Sequence, residues 1–328
     1  MTWEPGESNR EEVTVEFDVD RLEVYASATA TEKRQRMREL IAGEDIVVLP
    51  GVFDGFSVRL VEAAGFLGGN ITGSGVANTR FAKPDVGIVG KSANVDAART
   101  LCAATNLPLF ADGDTGYGNA VSASYTLREF EDAGVAGLFF EDQQDPKRCG
   151  HMAGKRVVSP EEMVAKLEAA ADARRDDTLV LMARTDAAAT HGVDEAIARA
   201  NLYLQHGTEM VFPDGLRTTD DIKRFTDEVD GPVCINMGFG IRSRPTTPQH
   251  SPAELQSWGV RMVFYPRLLT SAAIRGMELA LGALREQQET GVIEDRTDLC
   301  VDFDRIEGLA GVAEAQDREE RYVTSRGL

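Results

Sequence analysis

Residues 108–142, PLFADGDTGYGNAVSASYTLREFEDAGVAGLFFED, hold one complete structural period of this chain. A short apolar run ends in two aspartates, Asp112 and Asp114, and a glycine-rich turn follows. The helix-like segment ASYTLREFEDAG comes next and stops at an Ala-Gly pair, as αβ turns in parallel sheets do. A second apolar run, AGLFFED, then ends in Glu141 and Asp142. Runs this uniformly apolar imply strands buried on both faces, the condition of a parallel sheet covered by helices.

Outward from this unit the same rhythm recurs. Strand-like runs precede it at DIVVLPG (45–51) and GNITGSG (69–75). Others follow at LVLMARTD (179–186), MVFPDG (210–215), PVCINMG (232–238) and MVFYP (262–266). Between them lie helix-like segments such as SVRLVEAAGF, DAARTLCAATN, EEMVAKLEAAADARR and VDEAIARANLYLQHG. Eight strand–helix units predict an α/β fold of the (β/α)8 TIM-barrel type rather than an open doubly wound sheet. A dinucleotide fold would want G-x-G-x-x-G in the first unit, where PGVFDGFS stands. Polar residues recur at the strand ends: Thr72 and Ser74, Asp112 and Asp114, Glu141 and Asp142, Arg184 and Asp186, Asp214, Asn236. In a barrel those ends meet at one mouth, where barrel enzymes place their chemistry. A single strand-end aspartate is as easily a helix cap; recurrence on six strands favours an active site.

Residues 1–40 read as an N-terminal extension or arm, and 41–328 as one barrel domain with a C-terminal helical segment. Thr29-Ala-Thr-Glu32 has capping-box spacing and starts a helix that Gly43 ends. Across 328 residues, 35 basic side chains face 54 acidic ones, a net charge of −19. That balance argues against nucleic acid, which needs a basic face. No long apolar run and no signal-peptide pattern is present, so no membrane partner and a cytoplasmic setting are expected. The four cysteines lie far apart, without C-x-x-C; Cys102, Cys234 and Cys300 are expected to be packing residues.

Two segments carry chemistry. In ADGDTGYGN, Asp112 and Asp114 are two apart and share one face, so both can serve one hard cation, with Glu141 from the next strand adding to it. Oxygen ligands alone favour Mg2+, with Mn2+ as the substitute; a turn-forming D-G-D without an ion is the other reading. PKRCGHMAGK (146–155) gathers Lys147, Arg148, Cys149, His151 and Lys155 in one loop. Its cations suit carboxylates, and they would favour the thiolate of Cys149.

K-R-C-G-H-M resembles the signature of the isocitrate lyase and phosphoenolpyruvate mutase superfamily. The resemblance runs from about Pro50 through PGVFDGFSVRLVEAAGF, SGVANTRFAKPDVG, ADGDTGYGN and FFEDQQDPKRCGH to MARTDA, MVFPDG and VCINM. Within the superfamily the chain is most similar to the short methylisocitrate lyases. The resemblance implies a homotetramer with a C-terminal helix exchanged between subunits, Mg2+ at the mouth, and cleavage of a 2-hydroxy-tricarboxylate. The first expectation is 2-methylisocitrate giving succinate and pyruvate. Isocitrate giving glyoxylate, then a 2,3-dimethylmalate-type substrate, then a phosphonate-forming mutase are the alternatives. It further implies metal binding by Asp112, Asp114 and Asp85, with Glu141 near. Thr72, Gly73, Ser74 and Arg184 would hold the 2-oxo acid carboxylate, and Asn236 the succinate end. Cys149 would be the general acid, flanked by Lys147, Arg148, Gly150 and His151.

Three positions depart from the family pattern. Asn70 stands where a tyrosine is usual, Asp214 where the substrate pocket has a glutamate, and Arg267 where a smaller or apolar residue is usual.

Overall fold

The computed structural model of the chain describes residues 17–19, 22–23, 26–148, 154–239 and 247–327. Eight parallel strands close into a barrel in chain order. They are β1 Val47–Val52, β2 Gly69–Ile71, β3 Leu109–Asp112, β4 Gly137–Glu141, β5 Val180–Thr185, β6 Met210–Pro213, β7 Val233–Asn236 and β8 Val260–Tyr265. Each apolar run expected to be a strand forms one.

The helices are α1 Ala30–Ala42, α2 Gly55–Ala63, α3 Gly73–Phe81, α4 Lys91–Ala103, α5 Ala120–Asp132, α6 Pro160–Ala173 and α7 Ala187–Thr190. After them come α8 Val193–Leu204, α9 Thr219–Glu228, α10 Pro252–Ser257, α11 Leu268–Thr290, α12 Phe303–Ala310 and α13 Val312–Tyr322.

Strand alternation divides the core in two. On β4, Leu138 and Phe140 join the layer between barrel and helices, while Phe139 joins the barrel interior. The same parity sends Phe110, Val180, Met182, Met210, Phe212, Cys234, Met262 and Phe264 inward. Phe110, Phe139, Phe212 and Phe264 fill the middle of the barrel with ring centroids 5.6–6.4 Å apart. Phe212 meets both Phe139 and Phe264 edge to face, the arrangement the ring quadrupole favours.

The bottom is closed by α1, whose Thr29–Glu32 capping box forms as expected. Its Met37 is fully buried in the interior cluster with Val47 and Leu49. Two buried cations on α1 bind the carbonyl ends of the surrounding helices. Lys33 Nζ donates to Cys102 O and Thr105 O at 2.8 and 2.6 Å, and Arg34 donates to Val135 O and Glu131 O. The helix is thereby fixed to the barrel floor, satisfying carbonyls that a helix end leaves open.

Of the expected packing cysteines, Cys102 and Cys234 are buried. Cys300 is exposed, because it lies in the segment between α11 and α12, away from the core. The 23-residue α11 buries only Thr270 and leaves Ile274, Met277, Leu281 and Leu284 at least half exposed. Among the described residues no helix is long and apolar enough to cross a membrane.

Candidate active site

The parity that builds the phenylalanine layer also builds the site. Two residues beyond Phe110, Phe139, Met182, Phe212 and Cys234 lie Asp112, Glu141, Arg184, Asp214 and Asn236, so the interior turns from apolar to charged within one layer. Above the rings a small cavity is lined by Asn70, Thr72, Ser74, Asp85, Asp112, Phe139, Glu141, Lys147, Arg148, Arg184, Phe212, Asn236, Phe264, Pro266 and Arg267. Gly73 and Asp114 border a smaller adjoining void with Asp85 and Lys147. Asp214 stands behind Arg184, bonded to it. Cys149, Gly150 and His151 lie outside the described residues.

Thr72 caps α3, its Oγ1 accepting from Gly75 N at 2.7 Å, and this turns the amides of the first turn toward the mouth. Gly73 N donates to Asp112 Oδ2 at 3.3 Å; a Cβ at Gly73 would lie 3.0 Å from that oxygen. Asp114 N donates to the other Asp112 oxygen at 3.0 Å. The DGDTGYG turn holds two non-glycine residues in the left-handed region, Asp114 at φ 49° and Tyr117 at φ 57°. Strain of that kind, of order 1–3 kcal/mol per residue, persists only where surrounding contacts enforce it. Here Glu141 N donates to Asp114 O, and Asn94 Nδ2 donates to the Tyr117 hydroxyl at 2.7 Å.

Two buried cations organise the carboxylates. Lys147 Nζ lies 2.6 Å from Asp85 Oδ1 and 2.5 Å from Asp114 Oδ1. Burial works against its charge, but Asp114, Asp112, Glu141 and Asp85 outweigh that and hold its pKa well above the usual lysine value. Arg184 donates from Nε and Nη2 to Asp186 at 2.9 and 3.2 Å, and from Nη2 to Asp214 at 3.1 Å. Its Nε also lies 3.2 Å from Glu141 Oε2, and the guanidinium sits 5.2 Å from the Phe212 ring centroid. Nη1 takes none of these contacts. Lys155 Nζ bridges Asp186 and Asp214 at 2.6 and 3.1 Å, which locks the carboxylates that lock Arg184.

Sequence reasoning puts Asp186 at the mouth and Lys155 in the cationic loop but gives neither a role in the site. A role for Asp186 was visible in principle, since it stands two residues after Arg184. The two-carboxylate seat of Lys155 has no local signal, because its partners lie 31 and 59 residues away. Asp142 proves to face the helix layer, where it binds Thr185, Arg199 and Tyr203.

Among the described residues three polar atoms at the cavity are buried without a hydrogen-bond partner: Asn70 Nδ2, Glu141 Oε1 and Asn236 Oδ1. Groups left open in a folded interior are rare, and those facing a cavity are placed to meet a water, an ion or a ligand. Burial pushes the Glu141 carboxyl well above the usual range, against the opposing charges of Arg184 and Lys147. Burial and the neighbouring Asp114 push Asp112 up to about 6. Among the described residues no three His, Cys, Asp or Glu side chains form a closed metal cage. Asp112 and Glu141 instead suit a Mg2+-like ion that keeps waters or takes its remaining oxygens from substrate.

The phosphoenolpyruvate phosphomutase family profile matches residues 37–285, which include every strand of the barrel and the whole described cavity. The chain belongs to the phosphoenolpyruvate mutase/isocitrate lyase superfamily. As a member of this superfamily it is an enzyme of the oxo-acid-lyase type. It is 36% identical to the 2,3-dimethylmalate lyase of Eubacterium barkeri over 89% of this chain and 98% of that one. It is 39% identical to the probable 2-methylisocitrate lyase 2 of Corynebacterium glutamicum, over 84% of this chain and 87% of the relative. Among solved structures, oxaloacetate acetylhydrolase in complex with the inhibitor 3,3-difluorooxalacetate matches at TM-score 0.81, with 26% identity and 89% and 98% of the two chains covered. Phosphonopyruvate hydrolase in complex with oxalate and Mg2+ matches at TM-score 0.74, with 28% identity over 89% and 99%.

Proposed function

We propose that the chain is a Mg2+-dependent carbon–carbon lyase that cleaves a 2-hydroxy-tricarboxylate, in the first place 2-methylisocitrate to succinate and pyruvate. One observation carries the reading: Arg184, with Nη1 left over by its three carboxylate partners, shares a single cavity with Asp112, Glu141 and the α3 N-terminus. That arrangement offers a cationic donor, a carboxylate pair and backbone amides to one small polyanion.

In this reading Asp112 and Glu141 hold Mg2+, directly or through water, with Asp114 and Asp85 acting behind them through Lys147. Mg2+, when bound, polarises the substrate oxygens as a Lewis acid. Thr72, Gly73 and Ser74 seat the carboxylate of the 2-oxo acid product, and Arg184 binds it through Nη1. Asp214 and Lys155 keep that guanidinium in place. The scissile bond's electron pair passes to the succinate carbon while the hydroxyl oxygen gives its proton to the Glu141 carboxylate, whose Oε1 is open, and becomes the carbonyl of pyruvate. Positive charge at Lys147 and Arg148 stabilises the anion that leaves. Cys149 then protonates carbon, with His151 and Gly150 beside it, and Asn236 contacts the succinate end. The near-complete match to the Eubacterium barkeri relative favours a 2,3-dimethylmalate-type substrate as the second reading. The exposed apolar residues of α11 support the proposed homotetramer with an exchanged C-terminal helix.

A coupled assay tests the reading: 2-methylisocitrate should release pyruvate with Mg2+ and nothing with EDTA, and isocitrate should release glyoxylate much more slowly. Cys149→Ser should nearly abolish turnover, by roughly the 10²–10⁴-fold of a lost general acid, while substrate still binds. Full activity in that variant would remove Cys149 from the mechanism.

A further inference from the structure

The wall of the cavity on the side of β8, β1 and β2 differs from the rest. Gly51 on β1 pairs with Asn70 on β2, and Pro50 pairs with Tyr265 on β8. A Cβ at Gly51 would lie 2.4 Å from Pro266 O, so glycine is what lets the backbone after β8 close against β1. That approach brings Arg267, the residue after Pro266, to the cavity beside Asn70. Asn70 is 2% exposed, and its Nδ2 is one of the orphaned donors. Arg267 is also the residue on which the 23-residue α11 begins, with no side chain capping the first turn. A guanidinium, an unsatisfied amide donor and the positive end of a long helix therefore meet in one quadrant, and each favours an anion.

The two substrate readings above differ by one carboxylate, the kind of anion that a guanidinium and an amide donor at the cavity wall bind.

We propose that Arg267 and Asn70 form a carboxylate subsite that selects a tricarboxylate over a dicarboxylate substrate. The subsite rests on the lyase reading above and deepens it. It takes the carboxylate by which 2-methylisocitrate exceeds 2,3-dimethylmalate, whose methyl group would leave Asn70 Nδ2 still unsatisfied.

The test compares kcat/KM for these two substrates in the wild type and in Arg267→Leu, at fixed Mg2+. The ratio of tricarboxylate to dicarboxylate should fall roughly 10- to 100-fold in the variant, the effect of losing one charge-assisted contact. Arg267→Lys should recover part of the ratio, which a mere packing role would not produce. An unchanged ratio, or an equal fall for both substrates, would overturn the subsite. If the wild type cleaves neither compound, the lyase reading fails, and binding decides the subsite. Calorimetric titration with propane-1,2,3-tricarboxylate and with methylsuccinate would then show selective weakening of the tricarboxylate in Arg267→Leu. Equal affinities in wild type and variant would overturn it there too.

Discussion

Glu141 and Asp142 sit side by side at the end of β4, both almost wholly buried and each within 3.2 Å of an arginine. Parity turns them to opposite sides of the barrel wall. Asp142 points into the helix layer and accepts from Asp186 N at 2.9 Å, Thr185 Oγ1 at 2.8 Å, Arg199 Nη1 at 3.1 Å and Tyr203 Oη at 3.0 Å. Glu141 points into the mouth with Oε2 beside Arg184 and Oε1 without a partner. Two carboxylates of equal burial thus differ in one respect: the first has every acceptor site answered by protein, the second keeps one open. A satisfied network specifies structure, whereas an open one is costly unless a ligand completes it.

The largest expected effect breaks this pair on the functional side. Glu141→Gln keeps the shape and removes the charge, and kcat/KM should fall by roughly 10²–10⁴-fold, the range of a lost acid–base or charge-stabilising group. The melting temperature should hold or rise, because a desolvated carboxylate disappears from the fold. Loss of folding without loss of specific activity would place Glu141 in the same class as Asp142.

Next comes the mirror variant. Asp142→Ala strands a buried guanidinium, two hydroxyls and an amide, so unfolding should become easier by about 3–5 kcal/mol in a denaturant titration. Activity per folded molecule should fall far less than in Glu141→Gln, since of the four partners only Asp186 reaches the site, and it does so through Arg184. A stable Asp142→Ala protein with lost turnover would invert the comparison.

How far the sequence anticipated this difference depends on which neighbours each residue meets. All eight strands were legible because an apolar run bounded by turns is a local signal, and the mouth followed from the polar residues at their ends. Strand parity was legible as well: Phe139 and Glu141 share a face, as do Met182 and Arg184. Asp142 was read with the mouth because its partners Arg199 and Tyr203 lie 57 and 61 residues further along, on α8. Lys33 and Arg34 carry no local sign of burial; only the assembled barrel floor supplies the carbonyls that bury them. What escaped, then, was satisfaction, which is a property of contacts between distant segments and is absent from any local pattern.

The smallest expected effect sharpens the contrast through pH. Asp112, on the mouth side with Glu141, is pushed up to about 6 by burial and by Asp114. An unfolded aspartate titrates near 3.9, so between these values the folded protein holds a proton that the unfolded chain has released. Stability from this group is therefore fully present below about pH 4 and declines as pH rises toward 6. Because Asp112 is partly open to the cavity, the decline should amount to about 1–3 kcal/mol rather than more. Melting EDTA-treated wild type and Asp112→Asn across that range isolates it: the wild type should lose ground to the variant as pH increases. Adding Mg2+ should reverse the trend above pH 6, since the cation needs the ionised carboxylate and compensates the charge that burial disfavours. A wild-type and variant difference that is flat with pH would mean that Asp112, like Asp142, already has its charge answered by the protein, and the mouth would then have no vacancy for a cation there.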